Sequence, residues 1–291
     1  MRFGCQSMVG EISAIILKRA RDAFISEENL SKEYEKFGYI ACPDFERTIK
    51  EYEIFEKIIA DNVPDVHYLP FDPRTGLDSI YAHDSFKVTN SGAIYFPMGK
   101  KLRGMEWLAA KDYLESIGVP TLGVITAPGK IEGGDIVWLD NESVAIGRGY
   151  RTNDEGIRQF KELTKKFIKN YTIVPMPHGE GEDACLHLMS VISMVDRDLA
   201  VVYSKYMPVF FRQMLLERGV KLLEVNDKEY GYLGSNVLAL APRKCVMIEG
   251  NSEIEKLLKA EKCTVFTYPG HDLSYLGTGG PTCLTQPICR R

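Results

Sequence analysis

The chain has 291 residues, 45% hydrophobic and 26% charged, with a formal net charge of −4, the balance of an ordinary soluble globular protein. Its basic residues gather into no block, which argues against nucleic acid or an anionic membrane as partner, and no apolar run is long enough to span a bilayer. The N-terminus lacks a charged-then-apolar signal pattern, and seven cysteines without C-x-x-C spacing point to reduced thiols in a cytoplasm and to no zinc site.

Residues 13–17, Ser-Ala-Ile-Ile-Leu, form the first strand-like run, and a polar stretch over 18–29 follows. Segments 32–37 and 44–62 have helical composition. In the second, Phe45, Ile49, Tyr52, Phe55 and Ile59 recur at intervals of three and four. A short strand over 66–69 comes next, and from there a pattern repeats. Residues 79–89 and 93–96 read as two strands about the turn Asn90-Ser91-Gly92, followed by a helix over 106–117 and a strand over 121–125. The second pass has strands 135–139 and 143–146, helix 154–169 and strand 172–175. The third has strands 191–194 and 199–203, helix 208–218 and strand 221–225. The fourth has strands 236–240 and 245–248, helix 252–260 and strand 263–268. A fixed spacing, here roughly fifty residues, is the signature of repeat architecture.

A fifth unit is divided between the two ends of the chain. Its first strand is 283–288 and its second is 15–17, so pairing the two completes a hairpin and removes two exposed sheet edges. The expected fold is therefore α/β: a five-bladed ring of ββαβ units, sheets inward and helices outward. With no linker or low-complexity stretch in view, it forms one domain over 1–291.

Equivalent units place the residues that precede each hairpin at one end of a common axis. Asp84 lies early in the first hairpin, Glu132 before the second, His187 before the third, and Cys283 opens the split fifth. Two carboxylates, an imidazole and a thiol would meet there. Each alone has a plainer reading: a polar strand residue, a turn residue beside Gly133-Gly134, a core histidine in apolar company, a buried thiol. Four at equivalent positions favour a site. Cys283 also sits in Gly279-Gly280-Pro281-Thr282-Cys283, a backbone permissive before the proline and stiff at it. His67, His83, His178 and His271 have no such company, and His178 is kept as the alternative imidazole.

At these residues the chain resembles, over nearly its whole length, the guanidino-group-modifying enzymes of the pentein fold: dimethylarginine dimethylaminohydrolases, arginine deiminases and amidinotransferases. The resemblance is carried by Glu132-Gly133-Gly134-Asp135, His187-Leu188-Met189-Ser190, Gly279-Gly280-Pro281-Thr282-Cys283, the run from Asp78 to Asp84, and Arg151-Thr152-Asn153. It implies Cys283 as nucleophile, His187 as acid and base, and Glu132 and Asp84 as holders of the guanidinium. It also implies Asp78 near the substrate α-amino group, Tyr81 as an aromatic beside the substrate, and Arg151 on the α-carboxylate, with Arg103 as a second carboxylate contact. Met189 stands where deiminases commonly carry an aspartate, and no stretch is long enough for their inserted helical domain. Both differences tilt toward the dimethylarginine hydrolase branch. His83 replaces the acidic residue often found before the aspartate there.

The expected reaction is hydrolysis of a guanidino C–N bond through a covalent thiouronium on Cys283, with no metal or organic cofactor. Two alternatives stand beside it: an amidinotransferase using the same intermediate, and a non-enzymatic pentein binding protein like the ribosome anti-association factor. The partner is a small guanidine, the arginine-like substrate itself is open, and self-association is open too. The segment 19–29, following the strand that pairs with the cysteine's strand, is expected to act as a lid tipped by Phe24 and Ile25.

Overall fold

Among residues 2–291, which the computed structural model describes, fifteen strands sort into five sheets of three. The chain enters through β1 (Ile12–Lys18), α1 (Ala20–Phe24), α2 (Glu27–Glu33), α3 (Phe45–Asn62) and β2 (Asp65–Leu69). The first complete unit is β3 (Phe86–Thr89), β4 (Gly92–Tyr95), α4 (Glu106–Ser116) and β5 (Thr121–Val124). The second is β6 (Ile136–Asp140), β7 (Ser143–Arg148), α5 (Asp154–Thr164) and β8 (Asn170–Pro175). The third is β9 (Ile192–Asp196), β10 (Leu199–Val202), α6 (Val209–Glu217) and β11 (Lys221–Glu224). After α7 (Asp227–Tyr230), the fourth is β12 (Leu238–Ala241), β13 (Lys244–Ile248), α8 (Ser252–Ala260) and β14 (Thr264–Tyr268), and β15 (Thr285–Arg290) follows.

Every sheet has one plan: the first strand pairs antiparallel with the second, and the second pairs parallel with the third across a helix. The split unit obeys it. β15 lies antiparallel to β1, with Leu17 opposite Thr285, and β1 lies parallel to β2 with α3 in the crossover.

The strands are apolar almost throughout because both faces of each sheet are covered. Along the middle strands, alternate side chains go to two different cores. Ala14 and Ile16 of β1 share a core with Ala93 and Tyr95 of β4, while Ile94 shares the next with Val144 and Ile146 of β7. Ala145 meets Ala200 and Val202 of β10, and Leu199 and Val201 meet Cys245 and Met247 of β13. Val246 and Ile248 then meet Ile15 and Leu17 of β1. Each of these cores thus joins residues from the middle strands of two sheets.

Helix α3 shows the local logic. Asp44 accepts from the Arg47 amide as N-cap, and Ile49, Tyr52, Phe55 and Ile59 present one apolar stripe to the core. No helix of the described residues is long and apolar enough to cross a membrane.

Three expectations change. Residues 79–85 are not strand: Leu77–Ile80 is a 3-10 turn, and β3 begins at Phe86. The reason is that these backbone groups are engaged elsewhere: the Tyr81 carbonyl is taken by Arg103, and the Ser79 and Tyr81 amides close turns onto Gly76 and Asp78. Cys283 likewise precedes its strand, in a turn where Leu284 donates to the Gly280 carbonyl and Thr285 to that of Thr282. The proposed lid is two helices, the second of which replaces the helix expected over 32–37 and is capped by Ser26. Its supposed tip is divided. Phe24 is wholly buried, edge-on to Tyr39 with centroids 6.5 Å apart, and only Ile25 is exposed. Phe24 is therefore an anchor of the core, and the lid reading of this side chain falls.

Phe24→Ala should lower unfolding free energy by about 3–5 kcal/mol, the usual cost of emptying a buried aromatic site. Urea unfolding followed by circular dichroism measures it, and a loss below about 1 kcal/mol would put Phe24 outside the core.

Candidate active site

The segments that lead into the five first strands are tied to one another by hydrogen bonds. Gly133 donates its amide to the Asp84 carbonyl, 2.8 Å, and Leu188 to Asp135 Oδ1, 2.9 Å. Ser235 Oγ donates to the Ser190 carbonyl, 2.8 Å, and the Thr282 amide to Asn236 Oδ1, 3.0 Å. His83 donates to the Cys283 carbonyl, 3.2 Å, returning to the first unit. Asp84, Glu132, His187 and Cys283 sit on these tied segments.

His187 stands between the two carboxylates. Its Nε2 is 2.7 Å from Glu132 Oε2 and its Nδ1 is 3.9 Å from Asp84 Oδ1. Glu132 Oε1 accepts the Gly99 amide at 2.8 Å, and Arg151 Nη1 lies 3.5 Å from Oε2. Asp84 Oδ1 accepts the Gly134 amide at 3.1 Å, and its Oδ2 accepts from Arg103 Nη1 at 2.9 Å. The two glycines of Glu132-Gly133-Gly134-Asp135 are required by packing. A Cβ at Gly133 would stand 2.2 Å from the His83 carbonyl oxygen, and one at Gly134 would stand 2.4 Å from His187 Nδ1. Asp135 buries its carboxylate against Leu188 N and the Thr152 hydroxyl, and burial pushes it up to about 6.

The electrostatics favour an ion pair. Burial opposes the charge on His187, but Cys185, Asp84 and Glu132 outweigh it and hold the imidazole well above its ordinary value. Burial likewise opposes ionisation of Asp84, yet His187 and Arg103 bring it down, and His187 and Arg151 do the same for Glu132. Cys283 behaves oppositely. Burial, Asp84 and Cys185 push its thiol up to about 12, against a smaller pull from Asn236 and His187. Asp84, Glu132 and His187 each bring one ligand-type atom within 4.8 Å of the others, a spacing a cation could bridge. Arg103, Arg151 and the Glu132–His187 bond already engage those lone pairs.

The remaining sequence candidates are placed as follows. Arg103 is buried, with Nε and Nη2 on Glu106 at 2.8–3.1 Å, Nη2 on the Tyr81 carbonyl and Nη1 on Asp84. The carboxylates it faces belong to the protein itself. Asp78 accepts from Lys100 Nζ at 2.6 Å. Tyr81 is packed beneath the cysteine loop, where a Cβ at Gly277 or Gly279 would collide with its ring or hydroxyl. Arg151 is half-buried and borders a cavity of about 330 Å³ with Tyr150, Met176, His178 and Leu186. His178 bonds Tyr150 there and does not join His187. His83 turns away from the site: its Nδ1 meets the Thr285 carbonyl at 2.9 Å and its Nε2 meets Lys87 Nζ. Burial and Lys87 push His83 down to about 3, and burial pushes Lys87 down to about 7.

Sequence reading missed two neighbours. Cys185 Sγ lies 3.6 Å from His187 Nδ1, and Asn236 Nδ2 lies 3.3 Å from Cys283 Sγ. The first carried no signal in the chain. The second did, since Asn236 opens the fourth hairpin as the others open theirs.

The sequence pattern of the family described as N,N dimethylarginine dimethylhydrolase, eukaryotic, matches residues 32–290. The chain belongs to this family. A relative in Bacillus subtilis (strain 168), the uncharacterized protein YkgA, is 28% identical over 240 residues, 81% of this chain and 78% of that one. The arginine deiminase of Mycobacterium avium (strain 104) is 28% identical over 193 residues, 57% of this chain and 47% of the deiminase. The chain thus spans about half the length of the deiminases it matches. Among solved structures, DDAH from Pseudomonas aeruginosa, a cysteine-to-serine mutant complexed with citrulline, superimposes with a TM-score of 0.76. Identity there is 19%, with 96% of this chain and 100% of that one covered, so the likeness is one of fold, the pentein fold. Membership of the family puts the chain among guanidino-group-modifying enzymes, and the α/β architecture of five repeated three-stranded sheets agrees with it.

Two outcomes test the site in the form this family member shows. With its thiol pushed up to about 12, free Cys283 is protonated at neutrality, so its alkylation by iodoacetamide should rise about tenfold per pH unit from 7 to 10. Site-resolved mass spectrometry reads the rate, and a plateau by pH 8 would mean the resting form is a thiolate. Gly134→Ala should displace His187, with a stability loss of about 1–3 kcal/mol from overpacking and a larger proportional loss of activity. Unchanged activity in this variant would show that the imidazole's position is not critical.

Proposed function

We propose that this protein hydrolyses a C–N bond of an arginine-like guanidinium, giving a ureido product and ammonia or an alkylamine, through a covalent intermediate on Cys283. The observation that carries the reading is the Asp84–His187–Glu132 cluster, assembled from three units, with the Cys283 carbonyl bonded to the His83 amide beside Asp84. We take the five units to surround a common axis closed by the β15–β1 hairpin, with residues 1–291 acting as one catalytic domain. All seven cysteines are free, which supports a reducing, cytoplasmic setting.

A guanidinium is a poor electrophile because its charge is spread over three nitrogens. Glu132 and Asp84 accept its N–H bonds and keep it protonated at the moment of attack. Arrival of this cation beside Asp84 offsets the charge that holds the Cys283 thiol up, so the thiol ionises, its proton passing to solvent. The thiolate attacks the central carbon and forms the S–C bond. His187, held as imidazolium by Glu132, gives its proton to the departing nitrogen as the C–N bond breaks, leaving an S-alkylthiouronium. Neutral His187 then takes a proton from water. The hydroxide adds to the same carbon, and collapse expels the Cys283 sulfur, which takes up the proton shed by the new carbonyl oxygen, together with the ureido product. Arg151, beside Glu132 and at the edge of the cavity it shares with His178, is suited to the α-carboxylate of the substrate, and Asp78 to its α-amino group. Membership of the dimethylarginine dimethylhydrolase family favours methylated arginine among the candidates.

Incubation with arginine and with dimethylarginine, followed by assay for citrulline with and without glycine, tests the reaction. Citrulline independent of glycine is expected. Guanidinoacetate formed in its place would assign an amidinotransferase, and neither product would favour a binding protein. Cys283→Ser should reduce turnover by several orders of magnitude with the fold intact, and more than about a hundredth of the activity remaining would remove Cys283 as nucleophile. Arg151→Ala should raise KM for arginine-like acids far more than for agmatine, which lacks the carboxylate. Equal losses on both would displace Arg151 from that role.

A further inference from the structure

Four of the five units bring a chemically competent group to the site, each a few residues ahead of its first strand: Asp84, Glu132, His187 and Cys283. The fourth unit has Asn236 at that place, just ahead of Leu238. We propose that Asn236 completes the catalytic set, donating an N–H from Nδ2 to the Cys283 sulfur so as to fix its position and stabilise its thiolate. The proposal deepens the reading of Cys283 as nucleophile and rests on it.

The direction of the amide is decided by its surroundings. The Thr282 backbone N–H, buried, needs an acceptor and finds Asn236 Oδ1 at 3.0 Å. The other end of the same planar group must then be the NH₂, and it faces Cys283 Sγ at 3.3 Å. Asn236 is itself fixed, buried with its own amide donating to the Leu233 carbonyl at 2.9 Å. Gly280 is what lets it seat. A Cβ there would stand 2.6 Å from Asn236 Cγ and 2.8 Å from Oδ1. One side chain therefore holds the residue before the nucleophile with one atom and the nucleophilic sulfur with the other.

The charge around the sulfur shows why a neutral donor is useful. Asp84 and Cys185 resist a second negative charge on it, His187 and Lys87 favour one, and Tyr81 and Tyr268, held un-ionised by burial, add no charge. The Nε2 proton of His187 is committed to Glu132, and Lys87 is bonded to His83 and Gln286. Asn236 is in direct contact with the sulfur, and an N–H donor bonds a thiolate more strongly than a thiol. It does so without adding a charge that would repel an incoming guanidinium.

Asn236→Asp separates the two functions of the side chain. It keeps the shape and the acceptor for Thr282 but sets a charged oxygen against Cys283 in place of the donor, while Asn236→Ala removes the donor and adds no charge. At pH 8, iodoacetamide alkylation of Cys283, read by site-resolved mass spectrometry, should fall at least tenfold in Asn236→Asp and in Asn236→Ala. The pH–rate curve should shift upward by about one unit. In the same variants kcat should fall with KM within about twofold. A wild-type alkylation rate in Asn236→Asp would reduce Asn236 to a tether for Thr282 and overturn the proposal, even if Asn236→Ala failed to fold. Alkylation needs no guanidine, so a protein that turned over no guanidine yet showed the tenfold fall would lose the hydrolase reading while keeping the Asn236–Cys283 contact.

Discussion

Gly133 gives its amide hydrogen to the Asp84 carbonyl, and a hydrogen bond links each unit to the next, from an amide or, at Ser235, from a hydroxyl. Each such bond has a net worth of only about 0.5–1.5 kcal/mol, but a buried amide left without its acceptor costs about 1–3 kcal/mol. The segments before the five first strands are therefore held in mutual register by a requirement that none can evade alone. The side chains they carry inherit that register. Asp84, Glu132, His187 and Cys283 come from distant parts of the chain, yet they are fixed by backbone groups one or two residues away. The Asp135 carboxylate and the Asn236 amide belong to the same system, because each closes one of the steps with its own side chain.

The cost of this arrangement is visible in its charges. Asp84, Glu132, His187 and Arg103 are all buried, and buried ion pairs stabilise a fold little when compared with apolar packing. Their pairing keeps them ionised without water: Arg103 takes Glu106 and Asp84, while His187 takes Glu132. The glycines beside them answer the same crowding. Gly134 leaves room for the His187 ring, Gly147 for the Asp135 carboxylate, and Gly280 for Asn236, each at a distance where a methyl group would not fit. Whatever their backbones bond, the missing side chain is what admits the neighbouring group.

Much of this was legible in the chain, for physical reasons. A strand buried on both faces is a short apolar run, and four hairpin–helix–strand repeats expose the fragments of a fifth at the two ends. The pairing of β1 with β15 follows from that count. The four catalytic candidates were legible because repetition makes positions comparable. Asn236 was legible on the same ground, but an amide at a hairpin mouth reads as a turn residue until its partners are seen. The strand expected at 79–85 failed because its composition is strand-like while its carbonyls are claimed by distant groups, notably Tyr81 by Arg103. The facing of Arg103 itself could not be read, since Glu106 and Asp84 compete for it with any ligand. Phe24 looked like an apolar tip in a charged segment because a five-residue helix shows too little period to reveal its buried face.

The division of the fifth sheet sets an order of events during synthesis. Of the fifteen strands β1 is made before the others, and its antiparallel neighbour β15 is made only after four complete units have followed. Until then β1 has β2 on one side and a bare row of amides and carbonyls on the other, an edge that invites pairing with another chain. The same late segment carries the thiol. A nascent chain therefore holds its carboxylates and imidazole before it has the Cys283 thiol, and the segment that protects the edge brings that sulfur as well. The complete cluster and the covered edge arrive together.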